Sequence, residues 1–168
     1  MNDGAVGAPD FESLATRAIR GLRAYDPGHD LVAWRRRVGP SLIELGSNEN
    51  PWGASPAARA AVLDSLHALH RYPDPLGGDL KRALAALHGV DVAQLLLGNG
   101  SHELLMQFAQ VFAGEGDEVV ASQYGFAVYA IAAQAAGATL VQAPALPATD
   151  AMARGHDLDA LAAAITPR

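Results

Sequence analysis

Cysteine is absent from the sequence, which excludes disulfides, thiolate metal sites and a cysteine nucleophile. Positive charge is scarce as well. The formal net charge is -6, so no electrostatic footprint favours nucleic acid or an anionic membrane. The run Arg35-Arg36-Arg37 is too short to change this and reads as solvated surface. Long apolar runs are also lacking: the most apolar stretch, residues 127–141, is interrupted by Gln134 and Gly137 and is too short to span a bilayer. The opening Met1-Asn2-Asp3-Gly4 has neither a basic region nor an apolar run behind it, so no signal peptide is expected. The six histidines show no metal-ligand spacing, His67 and His70 read as surface residues, and Gly-x-Ser-x-Gly does not occur. No metal site is therefore expected. Lysine occurs once, at Lys81.

The 168 residues suffice for one domain with a hydrophobic core, and a chain half hydrophobic and 18% charged reads as soluble and globular. These features together fit a cytoplasmic protein. Apolar periodicity predicts helices over residues 11–22, 56–69, 79–87, 101–112, 126–136 and 158–165. Short strands are expected over residues 42–45, 94–97, 117–122 and 139–142. Gly89 should stop the third helix. Turn-rich sequence makes loops of residues 46–55 and 71–78, and Tyr25-Asp26-Pro27-Gly28 forms a turn. From residue 94 onward strands and helices alternate, which predicts an α/β fold with a mostly parallel sheet. Ligands in such sheets bind where strand turns into helix, at the carboxyl ends of the strands.

The first such junction is Gly98-Asn99-Gly100-Ser101-His102-Glu103. Its glycines let the backbone approach a ligand, and the helix start offers free N–H groups and partial positive charge suited to a phosphate. It is not a Walker A loop, because no Gly-Lys-Ser/Thr follows. It departs from a dinucleotide fingerprint, because Glu103 stands where the third glycine belongs. A phosphate cup for a monophosphate cofactor and a plain strand-to-helix turn both remain open on this motif alone. At the second junction, Ser122-Gln123-Tyr124-Gly125-Phe126, Tyr124 reads either as a ring that stacks on a flat ligand or as a core aromatic. Phe126 and Tyr129 fit a buried helix face better. Two further segments, Ser47-Asn48-Glu49-Asn50-Pro51 and Arg71-Tyr72-Pro73-Asp74-Pro75, read by themselves as turn-forming loops.

Taken in order, these pieces resemble the histidinol-phosphate aminotransferases of the fold-type I group of pyridoxal-phosphate (PLP) enzymes. Tyr25-Asp26-Pro27-Gly28 is similar to the family's N-terminal Tyr-x-Pro-Gly arm, and Asn48-Glu49-Asn50-Pro51-Trp52-Gly53 to its Asn-x-Asn-Pro-x-Gly loop. Residues 71–74 resemble its Arg-Tyr-Pro-Asp segment, residues 98–103 its Gly-Asn-Gly-Ser-x-Glu cup, and residues 122–129 its Ser-Gln-Tyr-x-Phe-x-x-Tyr segment. The resemblance implies an arm and small-domain portion over residues 1–40 and part of a PLP-binding large domain over residues 41–168. It implies that Gly100, Ser101 and His102 bind the cofactor phosphate and that Tyr124 stacks on the pyridine ring. It further implies that Tyr72 reaches the phosphate of a neighbouring subunit in a homodimer, and that Asn50 lies in the substrate pocket. The reaction implied is amino transfer between histidinol phosphate and 2-oxoglutarate, yielding glutamate, in histidine biosynthesis. His102 stands where many members carry Asp or Asn, which affects its side-chain role but not its backbone N–H.

PLP transamination requires a lysine that holds the cofactor and shuttles a proton. Lys81 lies on the helix before the first strand of the cup and is expected to face solvent, away from Leu80, Leu84 and Leu87. The family's Schiff-base lysine belongs to a Ser-Lys segment beyond residue 168. No catalytic residue is thus assigned within this chain, the parallel sheet is expected to be incomplete, and the chain by itself is expected to be inactive. Sister PLP enzymes, such as aromatic aminotransferases or threonine-phosphate decarboxylases, would share the same cup. A non-catalytic remnant that binds a phosphate ligand or a partner is the alternative of another class.

Overall fold

The computed structural model describes residues 10–26 and 30–168. Pro27 and Gly28, half of the expected arm turn, lie outside the described residues. The chain divides into two compact units: Met1–Tyr25 with Gly98–Arg168, and Asp26–Leu97. It is an α/β chain.

The unit that contains the C-terminal part is built around a strand–helix–strand crossover. Helix α5 (Ser101–Phe112) is followed by strand β1 (Glu118–Ser122), helix α6 (Val128–Ala136), strand β2 (Thr139–Ala143) and helix α7 (Leu158–Ala163). The two strands run parallel, with Glu118 opposite Thr139 and Ser122 opposite Ala143. Helix α6 supplies the crossover that parallel pairing demands. Its inner face is Val128, Ala132 and Ala133, all buried together with Ala121 and Ala143 of the strands. Residues this small let the helix axis settle close to the sheet. Helix α5 packs on α6. Helix α7 starts where the Asp157 side chain accepts the Ala160 N–H at 2.9 Å. The segment after it is tied to the start of β1: the Glu118 carboxylate accepts from the Thr166 hydroxyl at 2.6 Å and the Arg168 guanidinium at 2.8 Å.

The same unit holds the N-terminal helix, which is shorter than periodicity predicts. Helix α1 covers only Phe11–Leu14; Ala15 is extended, and residues 17–21 form turns ending at Gly21. A single amphipathic stripe does not sustain a short helix unless the whole stripe is covered.

The unit Asp26–Leu97 is helical, with α2 (Leu31–Val38), α3 (Pro56–Ser65) and α4 (Gly78–His88). Ser55 caps α3 through the Ala58 N–H, with Pro56 at the first helical position. Helix α4 ends as expected at Gly89, in the left-handed conformation. Two expected strands do not form here. Residues 42–45 form no strand among the described residues, and Ile43 and Leu45 are exposed. Val92–Gln94 instead makes a 3-10 turn closed by a capping box between Asp91 and Gln94, leaving residues 95–97 without a ladder. A run of apolar residues becomes a strand only where a neighbour offers hydrogen bonds. Lys81 departs from expectation too: it is half-buried, on the stripe with Gly78, Leu84 and Ala85, whereas Leu80 and Leu87 are exposed. A lysine stem can be covered while its ammonium stays wet, so the apolar count alone misjudged the face. Among the described residues no helix is long and apolar enough to cross a membrane.

Candidate functional site

The turn before α5 is built from three residues with distinct duties. Gly98 has no room for a side chain: a Cβ there would stand 2.9 Å from Leu104 on the first turn of the helix. Gly100 has φ 85° and ψ 173°, a region open essentially to glycine alone. Space beside it is free, with nothing within 4 Å of where a Cβ would stand. Because the capping position is a glycine, no side chain caps α5. The first-turn N–H groups of a helix lack intrahelical acceptors, so those of Ser101, His102 and Glu103 start a twelve-residue helix with no side-chain cap.

Asn99, between the glycines, is held from the helix side. Its backbone N–H and its side-chain amide both donate to the Glu103 carboxylate, the latter at 2.9 Å. Gln107, one turn further on, donates to the other Glu103 oxygen at 3.1 Å. The Asn99 backbone hydrogen bond, and then its side-chain one, hold the Glu103 carboxyl below the usual carboxylate range.

The second junction is a tight turn after β1. The Gly125 N–H donates to the Ser122 carbonyl at 2.8 Å, and the Gln123 N–H donates to the Ala143 carbonyl at 2.9 Å. Tyr124 is thrown outward, 58% exposed. The Arg154 guanidinium lies 6.0 Å from its ring centroid, and Arg154 itself adopts a left-handed backbone with φ 62°. Phe126 is 41% exposed rather than core. It meets Tyr129 edge-on at 6.3 Å and Tyr25 edge-on at 5.9 Å. Tyr25 also meets His102 edge-on at 6.3 Å, so one ring from the N-terminal segment joins the turn before α5 to the turn after β1. The structure thus gathers Gly100, Ser101, His102 and Tyr124 in one compact unit.

Asn50 and Tyr72 lie in the other unit. The Asn50 side chain serves its own turn, donating to the Gly53 carbonyl at 3.2 Å and accepting the Trp52 N–H at 3.1 Å. Tyr72 is fully exposed. The loop that carries it is pinned by Asp74, whose carboxylate accepts the Leu76 N–H at 3.0 Å and the Gly78 N–H at 2.7 Å. Those two hydrogen bonds, Gly78 first, hold the Asp74 carboxyl below its usual range.

Residues 40–168 match the family profile of aminotransferase class I and II. The chain belongs to this family. Among class I and II aminotransferases it is similar to histidinol-phosphate aminotransferase 2 of Methylococcus capsulatus, 42% identical over 92% of this chain and 42% of that protein. It is also similar to histidinol-phosphate aminotransferase 2 of Hydrogenovibrio crunogenus, 44% identical over 89% of this chain and 39% of that protein. The chain therefore spans about two fifths of the length of the curated relatives it matches. A crystal structure of histidinol-phosphate aminotransferase from Sinorhizobium meliloti, in complex with pyridoxal-5'-phosphate, superposes with a TM-score of 0.74 at 29% identity, covering 90% of this chain and 39% of that one.

Three residues of this aminotransferase segment escaped sequence reasoning. In the sequence Glu103 stands where a dinucleotide motif has its third glycine and closes the family's Gly-Asn-Gly-Ser-x-Glu cup, with no hydrogen-bonding role assigned to it. Its position two residues past Ser101 and four past Asn99, within reach of both ends of the turn, was the available signal. Tyr25 was placed in a turn, and nothing local indicated that its ring meets His102 and Phe126. Arg154 carries no sequence signal at all, since only the fold brings it to Tyr124.

Proposed function

We propose that this chain carries the cofactor-phosphate cup of a PLP-dependent histidinol-phosphate aminotransferase. The observation that carries the reading is the open, uncapped start of α5 behind Gly100, with Tyr124 at the neighbouring junction, in a chain 42–44% identical to histidinol-phosphate aminotransferases. The donor set fits a phosphate monoester. Uncapped N–H groups and the Ser101 hydroxyl offer hydrogen bonds, and the positive end of the helix favours negative charge. Backbone N–H of His102 serves as a donor whatever its ring does. Tyr124 offers an exposed ring face for a pyridine, and the edge-on contacts of Tyr25 hold the two junctions together.

When bound, PLP supplies the electron sink that stabilises negative charge at the substrate Cα. The residues of this chain bind and orient: Gly100, Ser101 and His102 hold the phosphate, Tyr124 fixes the plane of the ring, and Tyr72 reaches the phosphate site of a partner subunit. Asn50 belongs to the substrate pocket through the loop it closes. The reading also carries an N-terminal arm over residues 1–40, a large-domain portion over residues 41–168, a cytoplasmic homodimer, and 2-oxoglutarate as amino-group acceptor. Lys81 sits half-buried on α4, and the amine that moves the proton is assigned outside residues 1–168.

Titrating the purified chain with PLP and with inorganic phosphate, followed by the amide resonances of residues 100–103, tests the cup. Saturable shifts confined to that turn and to Tyr124 are expected, with no borohydride-trapped adduct at Lys81. Absence of any saturable shift would remove the phosphate-cup reading and favour a non-catalytic segment. Substrate choice is tested on the protein that contains this chain, by comparing turnover of histidinol phosphate, phenylalanine and threonine phosphate.

A further inference from the structure

The cup contains a carboxylate where an anion site should have none. Glu103 is the third residue of α5, inside the turn whose N–H groups are assigned to a phosphate. Its oxygens are nevertheless not directed at free space. They are taken up by three donors: the Asn99 N–H, the Asn99 side-chain amide and the Gln107 side-chain amide. No other titratable group contributes to its lowered pKa.

The consequence concerns Asn99. Asparagine is among the best residues for capping a helix start, because its side-chain oxygen accepts a first-turn N–H. Asn99 directly precedes the capping position, and that position is a glycine without a side chain. An unrestrained Asn99 would be the nearest internal acceptor for the same N–H groups that a phosphate needs. In the structure it is turned back onto Glu103, and α5 carries no side-chain cap. Gly98 closes the arrangement, since Leu104 occupies the space a Cβ would need and Glu103 lies 3.3 Å from the same point.

We propose that Glu103 is a positioning residue that keeps the phosphate cup vacant: by holding both the backbone and the side chain of Asn99, it sets the turn between Gly98 and Gly100 and prevents Asn99 from capping α5 in the ligand's place. This rests on the phosphate-cup reading. The required property is the reach of a hydrogen-bond acceptor, not its charge; the charge by itself opposes an anion at the same turn. Glutamine has the same length and keeps an oxygen for the Asn99 N–H, and Gln107 can rotate its amide to meet the new NH2 group.

The test compares the wild-type chain with Glu103→Ala, Glu103→Gln and the double variant Glu103→Ala/Asn99→Ala, with inorganic phosphate and PLP as the probes. Glu103→Ala should weaken binding about tenfold, the scale of one capping interaction. Glu103→Gln should bind at least as tightly as wild type, and removal of Asn99 in the alanine background should recover part of the loss. A role in stability alone predicts no such recovery, because the second substitution removes still more of the turn. In the ligand-free chain, exchange protection of the Asn99 amide should fall in Glu103→Ala and persist in Glu103→Gln. Wild-type affinity in Glu103→Ala, or a Glu103→Gln variant as weak as Glu103→Ala, overturns the proposal while leaving the cup intact. A wild-type chain that binds neither probe overturns both. Should Glu103→Ala lose its helical circular dichroism, the comparison of Glu103→Gln with wild type still decides.

Discussion

Replacing Gly100 by alanine isolates the backbone contribution to the cup. The added methyl meets nothing beyond its two chain neighbours, since no other atom lies within 4 Å of its position, so crowding against the rest of the fold contributes no cost. What remains is the conformation, φ 85° and ψ 173°, which a residue with a Cβ adopts at a cost of about 1–3 kcal/mol. The chain can respond in two ways. If the turn holds its shape, the cost appears as lost stability in urea denaturation. If the turn relaxes instead, Gly100 leaves this region, the first-turn N–H groups swing away, and phosphate or PLP affinity falls by roughly 5- to 150-fold, the same free energy at about 1.4 kcal/mol per factor of ten. Gly89→Ala serves as the control: it places a side chain at φ 66° at the end of α4, should cost about 1–2 kcal/mol of stability, and should leave phosphate binding unchanged. A Gly100→Ala chain with wild-type stability and wild-type affinity would refute the argument that this turn depends on a glycine-only conformation.

Val128→Ala removes two methyl groups from a fully buried position between α6 and the sheet; a loss of about 2–3 kcal/mol is expected from transfer and residual cavity together, and a change below about 0.5 kcal/mol would mean that this face is not the core. Arg154 combines a left-handed backbone with a cation over the Tyr124 ring, so Arg154→Gly should melt higher than Arg154→Ala by the equivalent of about 1 kcal/mol; equal melting temperatures would show that the backbone is not strained. The lowered pKa of Asp74 has a defined sign. The folded carboxyl titrates below its ordinary value of 3.8, so its contribution to the loop and to the start of α4 is fully present above that value and is lost as pH falls through the lower, folded one. Exchange protection of the Leu76 and Gly78 amides should follow that course and become independent of acid pH in Asp74→Asn.

Much of the site was legible because its signals are local. Two glycines flanking an asparagine, followed by a hydroxyl residue and an amphipathic stripe, predict a turn and a helix over residues 101–112, and α5 has those bounds. Gly89 as the end of α4, Ser55 with Pro56 as the start of α3, and the two parallel strands around α6 follow from equally short-range chemistry. At Asn50 local signals support two readings at once, a substrate contact and a self-closed turn, and its amide is engaged by Gly53 and Trp52.

The amino-acid sequence by itself determined what needs only neighbours a few residues apart: the capped start of α3, the Gly89 stop of α4, the bounds of α5, the glycine-only turn, the absence of thiol chemistry and the single lysine. Tertiary structure decided whatever requires a distant partner. Residues 94–97 carry an apolar run yet form no strand among the described residues, whereas β1 and β2 are strands because each offers the other a ladder. Lys81 lies on the sheltered stripe of α4, Tyr25 joins His102 to Phe126, and Arg154 meets Tyr124. The physical reason is common to all of them. Dihedral preferences and caps act within one turn of chain, but a strand edge, a buried face or a ring contact has no defined energy until the fold supplies its other half.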